Sequence, residues 1–534
     1  MSILILFSAI VIFSCIITNK FSNKLGMPSL VFFMFLGILF GSDGILKISF
    51  DDYDLTAKLC SIGLLFIIFY GGFCTKKPEC KKVTIQAILL SSFGTILTAV
   101  FCTLFCMYGL KLPFVESFLI GAVISSTDAA SVFSILRSRR LNLKYGTAPL
   151  LEMESGSNDP FAYILTILGI ALLNGTNTVE MAPLLFKQIV YGILGGILIA
   201  KGALFILKKT RLLTEGTDTI FMVAVALLSY SLPDLIQGNG YLSVYITGII
   251  LGNSEIKNKL NLIHFFDGIT ALAQVIIFFL IGFLSFPHKI PEILLPALAI
   301  TLFLTFIARP LAILISLAPF KVKLNQFIFI SSAGLRGAAS IVFAILVVSQ
   351  DATLVNDLFH IVFVVALLSV AVQGSFLPII AKKVDMLDRF NDVRKTFNDY
   401  QQESAIALNK MIITESHPWC GNAIKDIQFN GKALILMITR KNKKIVPKGS
   451  TILKENDEVL IGTTFQNSDE RINLCETYID KKHDWLDKKI KEIKLTNNHL
   501  IALIKREGEH FVPNGNTQIK QNDTIIFYNL QIDT

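Results

Sequence analysis

The chain has 534 residues, 53% of them hydrophobic and 17% charged, with a mean hydropathy of +0.61. That is too apolar for a water-soluble globular protein and indicates a polytopic membrane protein. The formal net charge of +9 fits basic loops on one face of a membrane and is not read as nucleic-acid binding.

A span needs about 20 mostly apolar residues. About 13 segments qualify, at roughly 2–18, 27–45, 55–74, 83–109, 113–136, 147–173, 181–207, 218–236, 240–254, 266–286, 291–318, 324–349 and 357–381. The first has almost no basic leader and no small-residue cleavage site, so it reads as a retained span. The loops alternate in charge. One side carries 17 basic residues, from Lys20 and Lys24 to Lys321 and Lys323, and the other only Lys47, Lys111 and Lys289. The positive-inside rule makes the first side cytoplasmic, with the N-terminus outside and the C-terminus inside. None of the cysteines at 15, 60, 74, 80, 102, 106, 420 and 475 forms a metal-type CxxC pair. Cys102 and Cys106 read as buried packing.

Three stretches inside these spans hold ionisable groups where charge is costly, which marks them as functional candidates. They are Ser125-Ser-Thr-Asp128, Leu151-Glu-Met-Glu-Ser-Gly-Ser-Asn-Asp-Pro160 and Gly334-Leu-Arg-Gly337. The first and third lie seven spans apart, so they run in opposite directions. Interrupted segments at matching places in two halves point to a transporter binding site.

Asp159 is the foremost candidate. A carboxylate that either a proton or a metal cation can neutralise has the chemistry of an exchanger, since two ligands compete for one charge. Ser155 lies four residues earlier on the same helical face, and Asn158 adds an amide; hard cations prefer such oxygens. Side-chain bonding by Ser, Thr and Asp favours a helix break at 125–128. There Thr127 reads as a cation ligand and Asp128 as the charge that offsets helix N-termini. Glu154 and Arg336 are expected to form an internal salt bridge. Arg309 is either a snorkelling residue at a span end or a second partner for a carboxylate. Gln274 and Asp267 are candidates to line the cavity, Glu152 has no assigned role, and His264 and His360 read as interfacial. No phosphate loop, metalloprotease helix or nucleophile elbow is present, so the chain reads as a transporter and not an enzyme, with no cofactor.

Beyond Lys382 the composition changes. Residues 386–411 read as a polar helical linker. Residues 412–534 hold short β-like runs and an ungapped internal repeat, His417-Pro-Trp…Asn456-Asp457-Glu-Val against His483-Asp-Trp…Asn522-Asp523-Thr-Ile. About a third of the roughly 46 aligned positions are identical, well beyond chance. Each copy, 412–468 and 469–534, reads as helix, strand, hairpin and strand.

Thr127-Asp128, Glu154-Ser155-Gly-Ser-Asn158-Asp159 and Gly334-Leu-Arg336-Gly-Ala, in this order over residues 1–385, resemble the monovalent cation/proton antiporter family in its NhaP-like branch. The tail is similar to two TrkA-C-like (RCK C-terminal) modules. The resemblance implies an all-α polytopic membrane fold of about 13 helices with inverted repeats and crossed broken helices, a cytoplasmic α+β tail, a homodimer and alternating access. It implies Asp159 as the shared proton and cation carboxylate, Thr127 and Ser155 as further ligands, a Glu154–Arg336 bridge, and electroneutral exchange from Asn158-Asp159. Many relatives have an acidic residue before Gly-Gly in the third span, where this chain has Tyr70, and Val-Pro where it has Ala339-Ser340. No Rossmann half precedes the tail modules, so NAD is not expected; the tail leaves room for a small-molecule or nucleotide ligand.

The expectation is an inner-membrane antiporter exchanging K+, with Na+ as the other candidate, for H+, regulated by its tail. The alternatives are a gated cation channel with a regulatory tail, a sodium-selective Na+/H+ antiporter, proton-coupled uptake of an organic solute, and a receptor without transport.

Overall fold

The computed structural model describes residues 2–25, 28–75, 83–138, 141, 143–209, 217–254, 256, 259–350, 354–387, 407–413, 419–427, 433–440, 443–463, 474–479, 485–493, 499–506, 509–511 and 513–529. Contacts divide it into a membrane unit ending at Leu387 and a tail unit.

Among the described residues of the membrane unit, eight helices are long and apolar enough to span a bilayer and five more are shorter apolar helices, which together make thirteen passes. Helices are the expected solution, because the bilayer offers no partner for free backbone groups. In order, they are span 1 (Ser2–Leu25), span 2 (Ser29–Phe40), span 3 (Tyr53–Cys74), span 4 (Thr84–Gly109), span 5 in two halves (Phe114–Val123 and Ala129–Ser138) and span 6 (Thr147–Leu173). They continue as span 7 (Thr178–Lys209), span 8 (Thr217–Leu235), span 9 (Gly240–Gly252), span 10 (Lys259–Phe283), span 11 (Pro287–Leu317), span 12 in two halves (Leu324–Ser332 and Ala338–Val348) and span 13 (Leu358–Lys383).

The spans pack in two groups. Spans 1, 2, 3, 7, 8, 9 and 10 form one, and spans 4, 5, 6, 11, 12 and 13 the other, while spans 3, 7 and 9 meet span 6 and spans 3 and 10 meet span 12 along a seam. Close packing inside the first group rests on glycine. A Cβ at Gly72 would press on the Tyr245 carbonyl at 2.5 Å, and one at Gly248 on the Phe69 carbonyl at 2.6 Å, so spans 3 and 9 touch backbone to backbone. Four π turns, at 90–94 and 105–109 in span 4, 304–308 in span 11 and 369–373 in span 13, interrupt the regular helices of the second group. The end of the membrane unit is tied back to the loop before span 6: Lys144 Nζ donates to Asp385 at 2.7 Å, and Leu143 bridges Leu387.

The tail holds two copies of one antiparallel sheet. The first has β1 (Ala407–Ile412), β2 (Ala433–Arg440), β3 (Lys443–Ile445) and β4 (Glu458–Thr463) in the order β1-β4-β2-β3. The second has β5 (Leu474–Tyr478), β6 (His499–Arg506), β7 (Glu509–Phe511) and β8 (Thr524–Asn529) in the order β5-β8-β6-β7. Both sheets carry a bulge at the same place, Ile435/Met437 and Ile501/Leu503. Alternation along the strands supplies two faces. Ile435, Ile438, Val459 and Ile461 fill the core of the first copy, and Ile501, Ile504, Ile519 and Ile525 that of the second. Leu436 and Leu460 meet Leu503 and Ile526, which joins the copies.

Two expectations change here. The helical linker assigned to 386–411 ends in β1, because Ala407–Ile412 finds an antiparallel partner in β4; residues 388–406 lie outside the described residues. The helix expected in each copy is a single 3-10 turn, Ile424–Asp426 and Ile490–Glu492. Its backbone donors are already used across the fold: Ile424 N–H reaches Thr451 O and Lys425 N–H reaches Gly449 O. A segment this short does not nucleate an α-helix against such competition.

One ion pair recurs in both copies. Arg440 grips Asp457 through Nε at 2.7 Å and Nη2 at 2.6 Å, and Arg506 grips Asp523 at 2.8 and 2.7 Å. Both carboxylates are fully buried. Burial works against the Asp457 charge, but the bonds from Arg440 and the Lys454 N–H outweigh it and hold its carboxyl below the usual range. A lowered folded value means stability that is complete above the ordinary Asp range near about pH 4 and lost as pH falls through the lowered value. Arg440→Ala leaves that buried charge without its main partner, at a cost of about 2–3 kcal/mol. In the full-length protein at neutral pH, amide exchange over 433–463 is expected to accelerate by about thirty- to a hundred-and-fiftyfold, as hydrogen-exchange mass spectrometry would read.

Candidate functional site

The site is built where the breaks of spans 5 and 12 cross. Residues 124–128 and 333–337 leave helical geometry. In the first, Ser125 returns its hydroxyl to Ala122 O at 2.6 Å, the local side-chain bonding that competes with helix continuation. The two breaks then bond to each other. Asp128 N–H donates to Leu335 O at 2.8 Å, and Arg336 Nη1 donates to both Ser125 O and Ser126 O at 2.7 Å. The Arg336 N–H reaches Ser369 Oγ at 3.1 Å.

Helix ends carry partial charge, positive at the N-terminus and negative at the C-terminus. The Asp128 carboxylate accepts from Ser131 Oγ at 2.5 Å and lies against Gly337, so it faces the N-terminal ends of both second half-helices. A side chain at Gly337 would collide with that carboxylate. Arg336, fully buried, serves the carbonyl end of the first half of span 5. One acid and one base thus offset the broken ends.

Span 6 passes beside this crossing. Its Ser155 donates to Thr127 O at 2.5 Å, and Asn158 Nδ2 donates to Thr127 Oγ1 at 2.5 Å. Ser126 Oγ donates to Asp159 Oδ1. Ser126, Thr127, Asp128, Ser155 and Asp159 all line one cavity of about 110 Å³, room for several waters or a partly hydrated ion. Asp159 is half-buried on its wall, whereas Asn158 is fully buried behind it, holding Thr127. The lining also includes Tyr70 on span 3 and Thr270 and Gln274 on span 10. Tyr70 donates to Asp267 at 3.1 Å. Glu152 also reaches the cavity.

The expected Glu154–Arg336 bridge is corrected. Glu154 pairs with Arg309 of span 11 at 2.5 Å, with side chains 1% and 3% exposed. The contact is one of charge, without an aligned N–H···O bond. Arg336 is committed to the carbonyls of the span 5 break. Arg309 reaches across Gly334, where a Cβ would sit 2.9 Å from its Nε. His360 is fully buried at the start of span 13, bonded to Asp357 at 2.7 Å and accepting the Phe286 N–H. Sequence reasoning did not single out Ser126 or Thr270. Ser126 sits inside a stretch that was recognised, and Thr270 follows Asp267 by one helical turn.

Two half-helices crossing at membrane depth, with a carboxylate on a cavity beside them, define an ion-transporting membrane protein. The family described as sodium/hydrogen exchanger, transmembrane, matches residues 9–383, and the TrkA-C domain matches 410–472 and 476–528; the chain belongs to the sodium/hydrogen exchanger family and carries two TrkA-C domains. It is 31% identical over 457 residues to the K(+)/H(+) antiporter NhaP of Alkalimonas amylolytica, covering 84% of this chain and 78% of that one. It is 31% identical over 449 residues to the K(+)/H(+) antiporter NhaP2 of Shewanella sp. (strain MR-4), covering 83% and 78%. The fold is that of the sodium proton antiporter MjNhaP1 from Methanocaldococcus jannaschii at pH 8, with a TM-score of 0.62 at 22% identity over 71% of this chain and 98% of that one.

Removing one member of a buried ion pair strands the other, at about 3–5 kcal/mol. Glu154→Gln is expected to lower the melting temperature in detergent. In double-mutant cycles with Arg309→Gln, the pair should show coupling of about 2 kcal/mol or more, and with Arg336→Gln much less.

Proposed function

We propose that the protein is a secondary-active antiporter exchanging a monovalent cation for a proton, with K+ the favoured ion and Na+ the second. The observation that carries this is Asp159, a half-buried carboxylate on a cavity wall at membrane depth, with the oxygens of Thr127 and Ser155 lining the same cavity. A carboxylate there is costly unless a counter-charge or a proton neutralises it. A hard cation takes oxygen ligands and so suits this wall. Proton and cation compete for one charge, so the site is neutral with either ligand and charged when empty. Exchange follows when only the neutralised site crosses between the two faces.

Asn158 is neutral where a second carboxylate would add charge, which favours one cation for one proton. The seam between the two groups of spans is where alternating exposure would occur. Relatives named K(+)/H(+) antiporters at 31% identity support potassium. Sodium is kept by a relative named Na(+)/H(+) antiporter 1, 27% identical over 348 residues. The charge bias of the loops supports an inner-membrane protein with its N-terminus outside and its tail in the cytoplasm. We take the active form to be a homodimer, with the tail adjusting transport.

The test is a pH dye inside acid-loaded proteoliposomes with the voltage clamped. Adding K+ outside should drive proton efflux, and Asp159→Asn should abolish it while the protein stays monodisperse. Near-normal exchange by that variant would sink the assignment. A response to Na+ alone would keep the mechanism and change the ion.

A further inference from the structure

Span 10 is apolar for most of its length, yet Asp267, Thr270 and Gln274 recur at the spacing of one helical face. Thr270 and Gln274 line the cavity that holds Asp159. Thr270 is 7% exposed, and its Oγ1 has no hydrogen-bond partner among the described residues. A threonine inside a helix commonly returns its hydroxyl to the carbonyl one turn back. Thr98, Thr103 and Thr166 do so here, at 2.7–2.8 Å. Thr270 does not, and a buried hydroxyl without a partner costs about 1–3 kcal/mol. An unpaired oxygen on a residue that shares a cavity with a carboxylate is of the kind a hard cation prefers. Tyr70, itself on the cavity wall, donates to Asp267, one helical turn from Thr270.

We propose that span 10 forms the second wall of the cation site, with the Thr270 hydroxyl a direct ligand of the bound monovalent cation and Gln274 and Asp267 flanking it. The proposal rests on the reading of Asp159 as the exchange site. Thr270 belongs to the group of spans that does not carry Asp159, so it joins the ligand shell only when the two groups meet across the seam. A cation gains an oxygen from that meeting in place of a lost water. A proton on Asp159 needs no such oxygen. The hydroxyl therefore acts on the cation and not on the proton, and its reach weighs one cation radius against another.

The experiment compares wild-type protein, Thr270→Val and Thr270→Ser in proteoliposomes at fixed pH, titrating K+ and Na+ separately. Valine keeps the shape and removes the oxygen. It is expected to raise the half-saturating concentration of the transported cation by about threefold or more, with the ratio between K+ and Na+ altered and serine returning both toward wild type. Cation-induced thermal stabilisation of the purified protein, with choline as control, should weaken in parallel. Wild-type half-saturation and stabilisation in the valine variant would overturn the proposal. If the valine variant does not assemble, Thr270→Ala carries the same test. A wild-type protein without cation-driven proton flux would overturn the exchanger reading itself, a failure distinct from normal exchange that ignores Thr270.

Discussion

Backbone at membrane depth has no water to satisfy it, and two helices break there. Spans 5 and 12 solve this by answering each other. Asp128 N–H takes Leu335 O, and Arg336 takes the carbonyls of Ser125 and Ser126. Irregular backbone inside a bilayer is tolerated where protein or a cavity surrounds it. Here the crossing supplies both, and the cavity it leaves holds Asp159. The site exists because the backbone is broken, and the broken backbone holds because opposite charges stand at its ends.

The buried charges divide their work by geometry. Arg336 and Arg309 are both almost fully buried and both lie near Glu154. Arg309 is the one that pairs with it, and Gly334 leaves space along the Arg309 stem. Arg336 is held by carbonyls and leaves Glu154 to its neighbour. The same economy appears at Asn158, which does not line the cavity and instead holds Thr127 in place.

The tail obeys a different physics. Each copy is a small sheet with its own core, and the second face of each is covered by the other. The Arg440–Asp457 and Arg506–Asp523 pairs fall at the same register, so duplication kept the buried pair along with the strands. Asn456 and Asn522 both adopt positive φ in the turn that delivers the aspartate, a conformation asparagine tolerates better than most residues.

The sequence by itself determined what depends on composition and local pattern. Apolar runs of spanning length, loop charge, the polar interruptions at 125–128 and 334–337 and the repeat in the tail were all legible, because each is a local bias in residue type. Asp159 stood out because a charge in an apolar run is costly wherever the chain folds. Tertiary structure alone decided the rest. β1 and β5 needed partners some fifty residues away, and the expected tail helices gave up their donors to a distant loop. Arg309 rather than Arg336 pairs with Glu154, with Arg336 held by carbonyls of span 5. The unpaired hydroxyl of Thr270 acquires meaning only from the cavity its residue shares with Asp159. Pairing between distant elements is a property of three-dimensional space, and residue order carries no record of which of two buried arginines meets the carboxylate.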